Sequence, residues 1–395
     1  MDTVALKQSA DALLAAAVGA GDLPGVVAAV TTREGTVYES AFGKRVLGQG
    51  PAMSQDTVMW IASMTKPVTG VAAMQLVEQG KLSLDEPAAK VIPELATFKV
   101  LDGWDGDQPR LREPRGEITL RKLLTHTSGF VYDIWNPDMD RYLNLMGLPR
   151  AGSGKNVALR TPLAFDPGAR WEYGIGIDWA GKMVEAASGQ RLGDYMRQHI
   201  FEPLGMDSTA YRITPSMRER LAKVHQRGPD GALAVTAFEV NQEPEFEPGG
   251  GGLYSTAADY LEFIRMILNQ GSADRVNGGR QLLRPDTVDL MSRNAMGELR
   301  VTKLPGIRTS LSLDAEFFEG TPKTWGLTFM INEAEAHTGR PAGSLAWAGL
   351  GNTYFWIDPK NGIGGVHMAQ VLPFVDPRAL ANFYAFEKSV YDALG

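Results

Sequence analysis

Strand-forming runs sit at the two ends of this 395-residue chain and are sparse between them, which limits the folds open to it. Residues 26–32 and 37–42 are rich in branched and aromatic side chains and flank Arg33-Glu34-Gly35, so they read as a hairpin. Residues 325–331, 344–349, 353–357 and 363–371 have the same character, and Asp358-Pro359-Lys360-Asn361-Gly362 between the last two carries turn chemistry. Helices are expected at residues 4–19 and 377–393. Strands at both termini with helices around them imply an α+β fold whose antiparallel sheet is assembled from the two ends.

The middle of the chain reads differently. Residues 178–187 form a helix stopped by Ser188-Gly189, residues 193–201 another ended by Pro203, and Thr256-Ala257-Ala258-Asp259 opens a third that runs to about Leu268. A chain of this length exceeds what one core normally organises. The expected organisation is a discontinuous sheet domain, residues 1–80 and 321–395, with a mainly helical domain, residues 81–320, inserted into it and the active site at their interface.

Within the first segment, Ser63-Met64-Thr65-Lys66 places a serine and a lysine three apart. On a helix such a pair shares one face. Apolar residues at 68, 71, 72 and 76 continue a helical period, Gly80 suits a C-terminal cap, and Pro67 is tolerated only in a first turn. The helix therefore starts close to Ser63, where backbone N–H groups lack intrahelical partners. A serine nucleophile needs a neighbouring base and donors for the oxyanion, and this location supplies both. Alone, the pair reads more readily as a surface helix contact.

Composition narrows the chemistry. There is no cysteine, which excludes disulfides, thiolate metal sites and thiol catalysis. The net charge of −7 comes without any basic run, so neither nucleic acid nor a membrane surface is an expected partner. The first eight residues lack the pattern of a signal peptide and no apolar run is long enough to span a bilayer, so a cytoplasmic location is expected. None of the histidines His126, His199, His225, His337 and His367 has metalloenzyme spacing, and His126 reads as a structural, hydrogen-bonded residue. Asp102, Asp105 and Asp107 lack EF-hand spacing and are followed by Arg110 and Arg112, which marks a solvated insertion. No metal and no cofactor is expected. Gly249 to Gly252 has no G-K-[ST] after it and reads as a tight chain reversal, and G-x-S-x-G is absent, which argues against an α/β-hydrolase.

Two further strings complete the candidate site. Tyr173-Gly174-Ile175 lies in a glycine-rich loop before the Asp178 helix, and Trp347-Ala348-Gly349 ends an expected strand. Loops of the first kind carry function on a rigid scaffold, and Gly349 would let a substrate approach the backbone. Taken singly, each aromatic residue reads as core packing.

In order, and with Leu123-Leu124-Thr125-His126-Thr127-Ser128-Gly129, Phe165-Asp166-Pro167-Gly168, Pro203-Leu204-Gly205-Met206 and Gly251-Gly252-Leu253-Tyr254-Ser255-Thr256, these strings resemble the serine β-lactamase and penicillin-binding-protein superfamily. The resemblance covers nearly the whole chain and is to the class C branch, most of all to the family VIII carboxylesterases. It implies a β-lactamase-like fold, Ser63 as nucleophile, Lys66 as helper in taking its proton, and Tyr173 as general base, as phenolate or through Lys66, and later proton donor. It also implies an oxyanion hole made by the N–H groups of Ser63 and Leu350. Lysine and tyrosine both titrate near 10, and placing them together in a dry site is expected to depress both.

This sequence departs from the β-lactamases of that superfamily in two places. Their third string opens with Lys or His, where this chain has Trp347, and their tyrosine string ends in Asn, where it has Ile175. Both changes remove polar partners of a β-lactam and both are typical of the esterase relatives. Tyr132, Trp135, Trp347 and Phe355 suit an apolar acyl or alcohol group, with Tyr132 at the cleft rim and Trp347 and Gly349 as substrate contacts. The expected activity is hydrolysis of short-to-medium acyl esters, small-molecule substrates, through an acyl-enzyme. An acyltransferase of the same fold, a β-lactamase or D-Ala-D-Ala peptidase, and a sensor acylated without turnover are the alternatives.

Overall fold

A computed structural model describes residues 1–273 and 279–395. Its centre is an eight-stranded sheet built from both ends of the chain. The N-terminal part gives β1 (Gly25–Thr32), β2 (Thr36–Val46) and β3 (Gln49–Ala52). The C-terminal part gives β4 (Lys323–Trp325), β5 (Met330–Asn332), β6 (Leu345–Gly349), β7 (Thr353–Asp358) and β8 (Ile363–Met368). The order is β4-β5-β6-β7-β8-β1-β2-β3, and every neighbouring pair is antiparallel. The two chain ends meet in the β1–β8 ladder, from Val27 opposite Met368 to Thr32 opposite Ile363.

Helices cover both faces, which is why the strands read as continuous apolar runs rather than alternating ones. The principal helices are α1 (Thr3–Gly19), α2 (Thr65–Glu78), α3 (Gly176–Ser188), α4 (Ala257–Leu268) and α5 (Pro377–Asp392). Along β7, Trp356 packs on Phe383 and Phe386 of α5, while its neighbour Phe355 turns to the other face and packs on Tyr260 of α4. Helix α2 is buried from Thr65 to Leu76, so it is the central helix of the molecule.

Three sequence expectations need correction. The single strand over 325–331 is two strands, β4 and β5, reversed at Gly326, whose N–H donates to the Phe329 carbonyl at 2.8 Å. Apolar Leu327 and Phe329 fill the reversal, so hydropathy does not reveal it. The strand over 363–371 stops at Met368, and Val371–Leu372 leaves to pair in parallel with His225–Arg227. The helix over 193–201 is not ended by Pro203. It passes through a wide turn, Arg197–Phe201, and stops at Gly205, in the left-handed region at φ 70°. The His199 carbonyl four residues before Pro203 accepts instead from Gln75 Nε2 at 3.1 Å. The solvated stretch of Asp102, Asp105 and Asp107 is an exposed hairpin, Val100–Asp105 with Gln108–Arg112, and Arg112 grips Asp166 with two hydrogen bonds of 2.7 and 2.9 Å.

Candidate active site

Ser63 sits one turn ahead of α2, in the 3-10 turn Ala62–Met64 that feeds it. Ala62 is held in the left-handed region at φ 44°, a strained state that a non-glycine residue keeps only where its surroundings dictate it. Those surroundings are specific. Gln370 brackets Trp60, two residues earlier, accepting from its N–H at 3.1 Å and donating to its carbonyl at 3.0 Å. The Trp60 indole donates to the Gly251 carbonyl at 2.8 Å, and the Tyr260 hydroxyl donates to the Met64 carbonyl at 2.9 Å. Among the described residues, neither the Ser63 nor the Leu350 N–H donates to a backbone carbonyl, and both residues line the same cleft.

Lys66 is fully buried in the first turn of α2. Its Nζ donates to Ser63 Oγ at 3.0 Å, to the Tyr132 hydroxyl at 3.1 Å and to the Gly250 carbonyl at 2.6 Å, and it lies 4.5 Å from the centre of the Tyr173 ring. Burial pulls its pKa down from the ordinary lysine value, against the opposing pull of Asp178. Tyr173 moves the other way. Burial raises its phenol above the ordinary value, and the hydrogen bonds of Ser63 and Trp347 offset this only in part. The expectation that both groups are depressed therefore holds for the lysine alone, because burial penalises ammonium and phenolate alike.

The Leu123-to-Gly129 string positions Tyr173. His126 is buried at φ 59°, its carbonyl accepts from the Glu172 N–H at 3.0 Å, and its Nδ1 accepts from the Gly174 N–H at 3.3 Å. Its ring rests 4.5 Å from that of Tyr173, and burial together with nearby Lys66 holds its pKa well below 6.5, so it is neutral. A Cβ on Gly174 would lie 2.0 Å from the Phe130 carbonyl, so only glycine lets this loop lie against residues 130–131.

The third string is placed differently from its expected role. The Trp347 indole donates to the Tyr173 hydroxyl at 2.7 Å, and its ring packs on Trp325 and Phe317 behind the cleft rather than in its wall. Gly349 admits not a substrate but the chain itself: a Cβ there would stand 2.3 Å from the Ile61 carbonyl and 2.2 Å from Thr353 Oγ1. Phe355 is likewise core and not cleft. Tyr132 lines the cleft as expected, and its hydroxyl also accepts from Lys66 at 3.1 Å.

The cleft encloses about 960 Å³ including its open mouth. Trp60, Ile134, Trp135, Phe238, Val240 and Leu311 give it an apolar wall, and Asp133, Arg150 and Arg308 stand among them. Asp133 Oδ2 accepts from Arg150 at 3.1 Å and from Arg308 at 3.3 Å, and Arg150 also reaches Asp140 at 2.8 Å. Sequence reasoning missed two contributors. Asp178, in the first turn of α3, is a buried carboxylate that accepts from the Gly250 N–H at 2.9 Å. The glycine run is more than a reversal, since it supplies the carbonyls held by Lys66, Trp60 and, at 2.7 Å, Thr69. An acidic residue five after Tyr173 in a helix with an otherwise apolar first turn was the available signal. Among the described residues, no three acidic or histidine side chains gather as metal ligands, and no helix is long and apolar enough to cross a membrane.

Comparison with known proteins places these features. The beta-lactamase family model matches residues 10–389. A monacolin J acid methylbutanoyltransferase from Aspergillus terreus is 33% identical over 95% of this chain and 93% of its own length. A lovastatin esterase from Penicillium rubens is 34% identical over 96% of this chain and 97% of its own. Among solved structures, a mutant simvastatin synthase from Aspergillus terreus superimposes with a TM-score of 0.84 at 31% identity, covering 97% of this chain and 94% of that one. EstCE1, described as a hydrolase with promiscuous acyltransferase activity, shares the fold at a TM-score of 0.78 and 21% identity, covering 98% of this chain and 99% of that one.

Proposed function

We propose, on the premise that this chain belongs to the beta-lactamase family, that it is a serine esterase working through an acyl-enzyme on Ser63. The observation that carries the reading is a fully buried Lys66 whose Nζ stands 3.0 Å from Ser63 Oγ. Burial favours the uncharged amine, so Lys66 can take the Ser63 proton as Oγ attacks the ester carbonyl carbon. The oxyanion that forms is met by the N–H groups of Ser63 and Leu350. As the bond to the alkoxy oxygen breaks, the neutral Tyr173 phenol gives that oxygen a proton and recovers one from Lys66. Water, deprotonated by the same amine, then attacks the acyl carbon, the bond from that carbon to Ser63 Oγ breaks, and Lys66 returns the proton to Oγ as the acid leaves.

The cleft supports esters of a short acyl group with a bulkier apolar alcohol. Water-sized atoms can occupy about 230 Å³ of it, a compact space with mostly apolar walls that takes a short acyl group while the alcohol part extends through the open mouth. That open mouth also favours a second reading, in which another alcohol replaces water and the acyl group is transferred. The transferase and esterase names of the relatives fit either outcome. A β-lactam is disfavoured because Ile175 and Trp347 are both buried, and the cleft cations Arg150 and Arg308 are already engaged by Asp133.

The test is turnover of p-nitrophenyl butyrate against a chromogenic cephalosporin, with and without a competing long-chain alcohol. Ester kcat/KM is expected to exceed the cephalosporin value about a hundredfold or more, as an uncompensated buried charge implies. Ser63→Ala is expected to lose activity by several orders of magnitude and to escape labelling by an organophosphonate. A label on another serine, or a cephalosporin value equal to the ester value, refutes the reading.

A further inference from the structure

Asp178 is a buried acid that the steps above do not use. Its Oδ1 accepts from the Gly250 N–H at 2.9 Å, while the carbonyl of that same residue accepts from Lys66 Nζ at 2.6 Å. Gly250 has no room for a side chain between them, since a Cβ there would lie 2.6 Å from the Tyr132 hydroxyl and 3.1 Å from an Asp178 oxygen. One glycine residue thus links a carboxylate on α3 to the amine on α2. Ile175, where the tyrosine string of class C relatives carries Asn, offers the amine no polar group.

We propose that Asp178 is a positioning residue for the base: through Gly250 it fixes where the Lys66 amine points, and through its charge it sets how readily that amine holds a proton. The inference rests on Lys66 being the base. The other groups facing the pair leave this role to Asp178. Tyr132 from the 130–135 loop, Tyr173 and Tyr211 are phenols whose pKa burial raises, and buried His126 is held neutral. Asp133 acts on Tyr132, and Glu185 and Glu247 on Tyr211, whereas Asp178 is the carboxylate whose charge acts on Lys66 among the described residues. Burial raises the Asp178 pKa, and the Gly250 hydrogen bond and Lys66 pull it back.

The sign of the effect follows. A nearby negative charge favours the ammonium, so removing it makes Lys66 easier to deprotonate and moves the acidic limb of kcat/KM to lower pH. Asp178→Asn keeps an oxygen for the Gly250 N–H and deletes the charge. The folded variant is expected to shift that limb for p-nitrophenyl butyrate by about one unit toward acid, with plateau kcat falling less than about tenfold. Asp178→Glu keeps the charge and displaces the acceptor. It is expected to hold the wild-type limb while plateau kcat falls about tenfold or more with KM little changed. A limb that stays in place or moves to alkaline pH in Asp178→Asn overturns the charge role, and wild-type kcat in Asp178→Glu overturns the positioning role. If Asp178→Asn does not fold, the Asp178→Glu result decides. Failure of Ser63→Ala to abolish turnover would instead refute the underlying reading of the site.

Discussion

Gly349→Ala tests whether the oxyanion hole depends on how closely β6 approaches the serine turn. The added methyl would stand 2.3 Å from the Ile61 carbonyl and 2.2 Å from Thr353 Oγ1. Thr353 can rotate its hydroxyl away, but Ile61 presents backbone. To reach even 3.0 Å, the Ile61 carbonyl and the end of β6 must part by about 0.7 Å. Ile61 is two residues before Ser63 and Gly349 is the residue before Leu350, so the separation falls on the two N–H groups assigned to the oxyanion.

Loss of one such donor costs about a hundredfold to a thousandfold in kcat, and a misplacement near 1 Å costs about a hundredfold. Gly349→Ala is therefore expected to lower kcat for p-nitrophenyl butyrate about a hundredfold, with KM changed less than about threefold. Overpacking lowers stability by about 1–3 kcal/mol, so a reduced Tm with an unchanged circular dichroism spectrum should accompany the loss. Adding Thr353→Ala should not restore the rate, because the Ile61 clash remains. A folded Gly349→Ala enzyme with kcat within threefold of wild type refutes the reasoning.

Trp347→Phe removes the 2.7 Å hydrogen bond to Tyr173 and keeps most of the ring packing, so kcat should fall up to about tenfold with KM unchanged. A rise in KM alone would restore Trp347 to the substrate wall. His126→Asn suits the left-handed backbone at φ 59° but loses the ring contacts with Tyr173 and Trp325. It should cost about 1–3 kcal/mol of unfolding free energy and less than about tenfold in kcat, read from denaturant midpoints and initial rates. A stable variant as inactive as Ser63→Ala would make His126 a participant in the chemistry.

What could be read from the sequence was local. The helical period after Ser63, the turn residues after β7 and the strand-rich ends each announce themselves within a dozen residues, and the sheet follows from them. What could not be read was set by long-range contact. Lys66 meets Gly250 across 184 positions, Trp60 meets Gln370 across 310, and Gly250 meets Asp178 across 72. Gly349 was legible as a place of close approach, but only the folded chain tells whether substrate or backbone approaches it. Tyr132 was legible as a cleft residue, but its bond to a lysine 66 residues away was not.

The pairing of lysine with tyrosine makes physical sense once both are buried. A dry site penalises whichever form carries charge, and that form is the protonated amine of Lys66 but the deprotonated phenol of Tyr173. One environment therefore leaves an amine ready to accept a proton beside a phenol ready to give one, each in the state its task requires. A histidine could not be tuned this way by burial alone, as neutral His126 beside them illustrates: it gains no proton to give. Trp347 and Ile175, both buried, add no charge to the cluster. An uncharged ester enters such a site without losing strong hydration, whereas a carboxylate-bearing lactam must surrender its hydration to a wall whose cations Asp133 already engages. The proposed preference for neutral esters thus rests on the same burial that is proposed to make Lys66 the base for Ser63.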